Sequence, residues 1–288
     1  MRFRQILFPV DFSERSRAAL PFVLSMARRH GARVTLLHVI GPPMPLYADM
    51  AALFPNEFDY DEAKAAIQER LQHIACDELP KVETTCEVDI GLPAEGITSC
   101  ANRAQADLIA MPTHGYGVFR RMLLGSITAR VLHDARVPVW TSAHAPEPSH
   151  RAHPQPRLIL AALDLKPENR RVLQTALELA RDAGATLEIL HFSGEDETDA
   201  RQFETRSREL LNEIARDDMM TECGDAGVIV QASEAGEGVG GSVRRAVLEK
   251  RADLVVTGRG SIQEDGPARL RANSYAIIRE APCPVLSV

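Results

Sequence analysis

The stretch MPTHGYGVFRRMLLGSI, residues 111–127, sets Gly115 and Gly117 a short way ahead of Gly125-Ser126, with large apolar residues and two arginines between. Two chemistries fit that spacing. Without a Cβ, a glycine lets backbone come close to a phosphate or turn sharply. A Gly-Ser pair that opens a helix presents unpaired N–H groups, the positive end of the helix dipole and a hydroxyl to an anion. The same residues also make an ordinary turn from a strand into a capped helix. Asp11, which follows the apolar run RQILFPV, can brace the helix after it or face a ligand at the end of its strand.

The elements that would position these residues are written twice. GARVTLLH (31–38) matches GATLEILH (184–191), and VDFSER (10–15) falls on LDLKPE (163–168), at an offset of 153 that aligns Asp11 with Asp164 and His38 with His191. ADLIA (106–110) matches ADLVV (252–256), and ARVPVW (135–140) matches APCPVL (281–286), at 146, so seven residues are lost in between. A period of about 150 residues means two homologous domains and not a solenoid of short repeats. They are placed at 1–143 and 157–288, with the Pro- and His-rich segment 144–156 as an extended linker.

Within each half, apolar runs of strand length alternate with helical patterns. RQILFPV, VTLLHVI, VETTCEVDI, DLIAM and VPVWTS read as five strands of the first half. Ser13 offers an N-cap to the first helix, Ala18, Phe22, Leu24 and Met26 its apolar face, and Gly31 its end. The pattern predicts an α/β protein of two tandem, doubly wound, five-stranded parallel sheets, Rossmann-like, with helices on both faces. Ligands of such sheets bind beyond the carboxyl ends of the strands. Asp11, the HVI end of the second strand and the stretch 111–127 all fall at that edge.

Composition narrows the class. Net charge is −7, so no global field draws in nucleic acid or an anionic membrane. No run approaches the roughly 20 apolar residues of a membrane helix, and the N-terminal apolar run stops at Pro9 too early for a signal sequence. The expectation is a cytoplasmic protein. Five scattered cysteines with no CxxC pair argue against a disulfide framework or a structural zinc site. The histidines of the linker, at 144, 150 and 153, lie among prolines that discourage a metal site.

On ILFPVDFSE (6–14), LLHVI (36–40) and THGYGVFRRMLLGSITARVLHDARVPV (113–139), the chain resembles the universal stress proteins, in a tandem form with two UspA-like domains. ATP-binding members of that family carry Gly, two residues, Gly, nine residues, then Gly-Ser or Gly-Thr. Here Gly115 is the second glycine and Gly125-Ser126 sits in register, while Pro112 replaces the first. Pro112 lacks an N–H, so any phosphate contact made through that amide is unavailable, and Thr113 and His114 offer side-chain donors beside it. The resemblance implies ATP, with Mg²⁺ accompanying the triphosphate, and implies that Asp11 and the backbone of Val39 line the adenine and ribose end. It also implies pairing through the last strand. In a tandem chain the halves can then cover each other's edge, as a pseudo-twofold monomer able to dimerise again.

The second half departs from the motif: Gly258 stands at the position of Pro112, Ser261 at that of Gly115, and Arg271-Ala272 at that of Gly125-Ser126. Arg271 either donates charge to a phosphate or fills the cleft; we expect a domain that holds no nucleotide there. The glycines of GEGVGG (236–241) follow a third strand, out of context for a dinucleotide fingerprint. A P-loop is excluded because no Lys lies near the glycine clusters; the chain has four, at 64, 81, 166 and 250. His38 and His191, equivalent and in apolar strands, read as packed, hydrogen-bonded core residues. Nothing marks Cys100 or Cys283 as an activated thiolate. With no evident general base, the leading expectation is nucleotide binding without turnover. The alternative is a nucleotide-free interaction module of the same fold.

Overall fold

The computed structural model describes residues 3–41, 59–113, 124–142, 155–163, 169–193, 197–217, 229–234, 238–259 and 272–288. The segment 42–58, most of the linker, Gly117, Asp164, Cys223 and Ser261 lie outside the described residues. The chain packs as two compact units, Arg2–Met111 and Pro112–Val288.

The first unit holds β1 (Gln5–Pro9), α1 (Glu14–His30), β2 (Arg33–Ile40), α2 (Tyr60–Glu78), β3 (Thr84–Ile90), α3 (Pro93–Arg103) and β4 (Leu108–Met111). Its strands are parallel in the order β3-β2-β1-β4. Moving from β1 to β3 and then back across to β4 sends right-handed crossovers to opposite faces. The reversal makes the β1/β4 junction the switch point of this sheet. Both strands there are buried along nearly their whole length, as strands covered on two faces must be.

α1 shows how the local code works. Ser13 caps it through Ser16 N at 3.1 Å, and Gly31 ends it in the left-handed region at φ 62°. That conformation is nearly free only to glycine, and Gly184, its counterpart, repeats it at φ 62°. The buried face is Ser16, Ala19, Leu20, Val23, Met26, Ala27 and His30. Of the four residues expected there only Met26 is buried; the true stripe follows the i, i+3, i+4 spacing from Ser16, which an apolar count overlooks because it begins on a serine.

The second unit contains α4 (Ser126–Asp134), β5 (Val139–Thr141), β6 (Leu158–Ala162), α5 (Asn169–Ala183), β7 (Thr186–Ser193), α6 (Glu197–Asp217), β8 (Ile229–Glu234), α7 (Gly238–Lys250), β9 (Leu254–Thr257), α8 (Ala272–Glu280) and β10 (Val285–Ser287). Its strand order is β5-β10-β9-β6-β7-β8, parallel except for β5 against β10. In that antiparallel pair Trp140 faces Leu286, the residue that matches it in the repeat.

The two repeats share side-chain bonds as well as order. Asp107 accepts from the amides of Arg4 and Gln5, and Asp253 from those of Arg157 and Leu158. His38 donates through Nδ1 to Val10 O at 2.7 Å, and His191 to Leu163 O at 3.1 Å. A carbonyl only accepts, so the tautomer is set in both; His191 is buried as expected of a core residue, while His38 is half-buried.

Of the glycines of GEGVGG, Gly240 serves packing. Gly238 to Gly241 open α7, and a Cβ on Gly240 would lie 2.9 Å from Ala276 O of α8. Gly240→Ala therefore loses about 1–2 kcal/mol net, the helix-propensity gain being outweighed by the clash with backbone. Thermal unfolding of the variant reads this as a lowered Tm.

Candidate functional site

Pro112 and Thr113 continue directly from β4, and both are buried. The chain returns to them after the segment 114–123, which lies outside the described residues together with the predicted site residues His114 and Gly115. Two bonds close the return. Gly125 N donates to Thr113 O at 3.0 Å, and Thr128 Oγ1 donates to Pro112 O at 3.2 Å. The second repeat has the same closure: Ser274 Oγ donates to Gly258 O at 2.5 Å. The side chain on this helix thus supplies a donor to the strand end, and proline is tolerated at 112 because only its carbonyl is used.

These bonds change the expected role of Gly125. Its amide is committed to Thr113, so it is not among the donors at the helix entrance. Gly125 is the N-cap of α4, with φ −56° and ψ 140°, and no side chain caps the helix there. The first intrahelical bond runs from Ala129 N to Gly125 O. The amides of Ser126, Ile127 and Thr128 are then the orphan donors of the first turn, and Ser126 and Ile127 are exposed.

Asp11 lies just beyond β1. Its Oδ1 accepts from Ser13 N at 2.9 Å and Ser13 Oγ at 2.7 Å, so it braces the residue that caps α1 and is not the cap itself. Oδ2 has no partner among the described residues. Phe12, between them, takes φ 61°, a conformation costly for a side chain with a Cβ. Its ring meets His38 at 4.9 Å and lies under the guanidinium of Arg70 at 3.8 Å, contacts that hold the turn. Val39, in β2, pairs with Asp89 of β3. Its side chain packs on α3 so closely that a Cβ on Gly96 would lie 2.9 Å from it.

One residue at this level was missed by sequence reasoning. Arg259 occupies the Thr113 position of the second repeat and is 2% exposed. It donates to Ala135 O and Val137 O, each at 2.9 Å, and to Leu132 O at 3.4 Å. Burial, with a smaller contribution from the like charge of Arg171, pulls its guanidinium down to about 10, which leaves it charged at neutral pH. The available signal was an arginine two residues after a strand that begins with an apolar run, LVVTGR. Arg271 lies outside the described residues.

A model of the universal stress protein family matches residues 2–142 and again residues 156–288. The chain belongs to the universal stress protein family. A universal stress protein of Methanocaldococcus jannaschii is 30% identical over 139 residues, 48% of this chain and 80% of its own length. One of Mycolicibacterium smegmatis is 30% identical over 190 residues, 65% of this chain and 63% of its own. The crystal structure of a universal stress protein from Archaeoglobus fulgidus aligns over 98% of this chain and 95% of its own, with TM-score 0.67 and 21% identity, a likeness of fold.

No described helix is long and apolar enough to cross a membrane, and the described residues contain no cluster of His, Cys, Asp or Glu suited to a metal ion. Cys100 is buried in α3, and Cys283 is buried in the turn before β10, not within the strand. Burial, then the charge and hydrogen bond of Glu87, push the Cys100 thiol up to about 12, and burial raises Cys283 further still. A raised thiol is protonated at neutral pH and a poor nucleophile. A maleimide at pH 7 should therefore label exposed Cys76 in the native protein, and Cys100 and Cys283 only after denaturation, as peptide mapping would show.

Proposed function

We propose that this universal stress protein binds ATP, or another adenine nucleotide, through its first repeat, and acts in a stress response by holding it and not by turning it over. The amino end of α4 carries the reading. It is an uncapped helix entrance with Gly125 at the N-cap and Ser126 exposed, in the register where ATP-binding members of the family carry Gly-Ser. The residues fit a phosphate chain there. The amides of Ser126, Ile127 and Thr128 and the Ser126 hydroxyl are the donors, favoured by the helix dipole. Pro112, Thr113, His114 and Gly115 form the segment that leads to them. Asp11, through an Oδ2 with no partner among the described residues, and the main chain of Val39 would take the ribose and adenine end. Mg²⁺ would arrive on the phosphates, since the described residues offer no acidic cluster for it.

In sequence, Asp11 follows β1 and Thr113 follows β4, on the carboxyl side of each strand, the side on which such sheets take ligands. The nucleotide-free interaction module draws on the second repeat, whose Thr113 position is given over to Arg259. Pairing of the two repeats through β5 and β10, and dimerisation beyond it, belong to both readings.

ATP–Mg²⁺ at about 100 times its Kd adds about 2.7 kcal/mol to a protein that binds it only when folded. Wild type should therefore melt several degrees higher with it. Gly125→Val should abolish the shift without unfolding the protein, because φ −56° is open to any residue and the added Cβ branch crowds only the helix entrance. No shift in wild type, with no nucleotide released on denaturation, would leave the module reading. Phosphate release at about 1 s⁻¹ or faster would make the protein an enzyme.

A further inference from the structure

α4 is held at both ends by different parts of the sequence. Its amino end is joined to the chain leaving β4, through Thr113 O and Pro112 O. Its carboxyl end, and the turn after it, are held by Arg259 of the second repeat, through the carbonyls of Leu132, Ala135 and Val137. The last carbonyls of a helix have no N–H partner of their own, and a cation there opposes the negative end of the dipole. A planar guanidinium can serve several carbonyls from one fixed position, which an ammonium cannot. The base of the side chain is itself fixed: Arg259 N donates to Val288 O at 3.2 Å, and Val288 N to Thr257 O at 2.9 Å.

Arg259 also has no carboxylate within ion-pair distance among the described residues. Elsewhere in this unit a buried charge is paired, as Glu188 is with Lys250 at 2.5 Å. A lone buried charge is costly, so one that satisfies only carbonyls is placed for what those carbonyls belong to. Leu132 is in the last turn of α4, Ala135 is its C-cap and Val137 follows, so they form the carboxyl end of the helix whose other end is the candidate phosphate site.

We propose that Arg259 is a positioning residue: from the second repeat it grips the carboxyl end of α4 and thereby sets the affinity for a phosphate group at the amino end of the same helix. The second repeat is then a clamp on the first repeat's site and not a second binding domain. The effect on affinity rests on the nucleotide reading above; the grip itself does not.

The test uses the full chain with Arg259→Met, and Thr141→Val as a control. The control removes the Thr141 Oγ1 bond to Val285 O across β5 and β10 without touching α4. Amide exchange over residues 126–134 and ATP–Mg²⁺ affinity are measured at a temperature where circular dichroism shows each variant folded. Arg259→Met should speed exchange in α4 at least about tenfold and weaken ATP about tenfold, while Thr141→Val leaves both within about twofold. If Arg259→Met does not fold, Arg259→Lys replaces it and should give a smaller change of the same sign in both readouts. Unchanged α4 exchange overturns the grip. Faster exchange with unaltered ATP affinity overturns the coupling, as does an equal loss of affinity in Thr141→Val. If wild type binds no ATP, the nucleotide reading fails on that ground, and the exchange of α4 alone decides the grip.

Discussion

A guanidinium buried with no carboxylate partner among the described residues, and shared among three carbonyls, is the interaction on which the organisation of this chain turns. Desolvating a charge is expensive, and hydrogen bonds from a charged donor recover the cost only when geometry is held tightly. The segment around Arg259 provides that tightness: the all-buried strand β9 behind it and Val288 bonded to its amide. The antiparallel pairing of β5 with β10 lies in the same unit. The segment 112–142 of the first repeat therefore packs in one compact unit with the whole second repeat, and the limits of the repeats and of the packing units differ.

The two repeats differ in an ordered way. Bonds that satisfy buried backbone are present in both: Asp107 and Asp253 at strand starts, His38 and His191 at strand ends, Thr128 and Ser274 where a helix meets its strand. Beyond the fourth strand the repeats differ at the candidate site, Thr113 against Arg259 and Gly125-Ser126 against Arg271-Ala272. These backbone-satisfying bonds occur in both repeats, whereas the Gly-Ser pair at the entrance of α4 has Arg-Ala at its place in the second. That is the division expected when one copy binds and the other supports.

Much of the fold was legible because it rests on local rules. The alternation of apolar runs with helical spacing marked the strands, and Ser13 and Gly31 marked the ends of α1. What escaped depended on tertiary contact. The buried face of α1 starts at Ser16, a polar residue that no apolar count selects. Gly240 of GEGVGG serves a helix–helix approach at Ala276 that no spacing encodes. At the site, the helix entrance was visible, but the engagement of the Gly125 amide by Thr113 was not, nor was the division of labour between Asp11 and Ser13. Arg259 was least legible. An arginine reads as surface until its three acceptors, more than 120 residues away in sequence, are brought to it.

If the first repeat holds a nucleotide and the second clamps the helix that holds it, each chain has a single nucleotide site. Equilibrium dialysis of the intact chain against labelled ATP with Mg²⁺, carried to saturation, counts the sites directly. The account requires one nucleotide per chain. Two per chain would mean that the second repeat binds despite Arg259, and none would remove the ligand altogether.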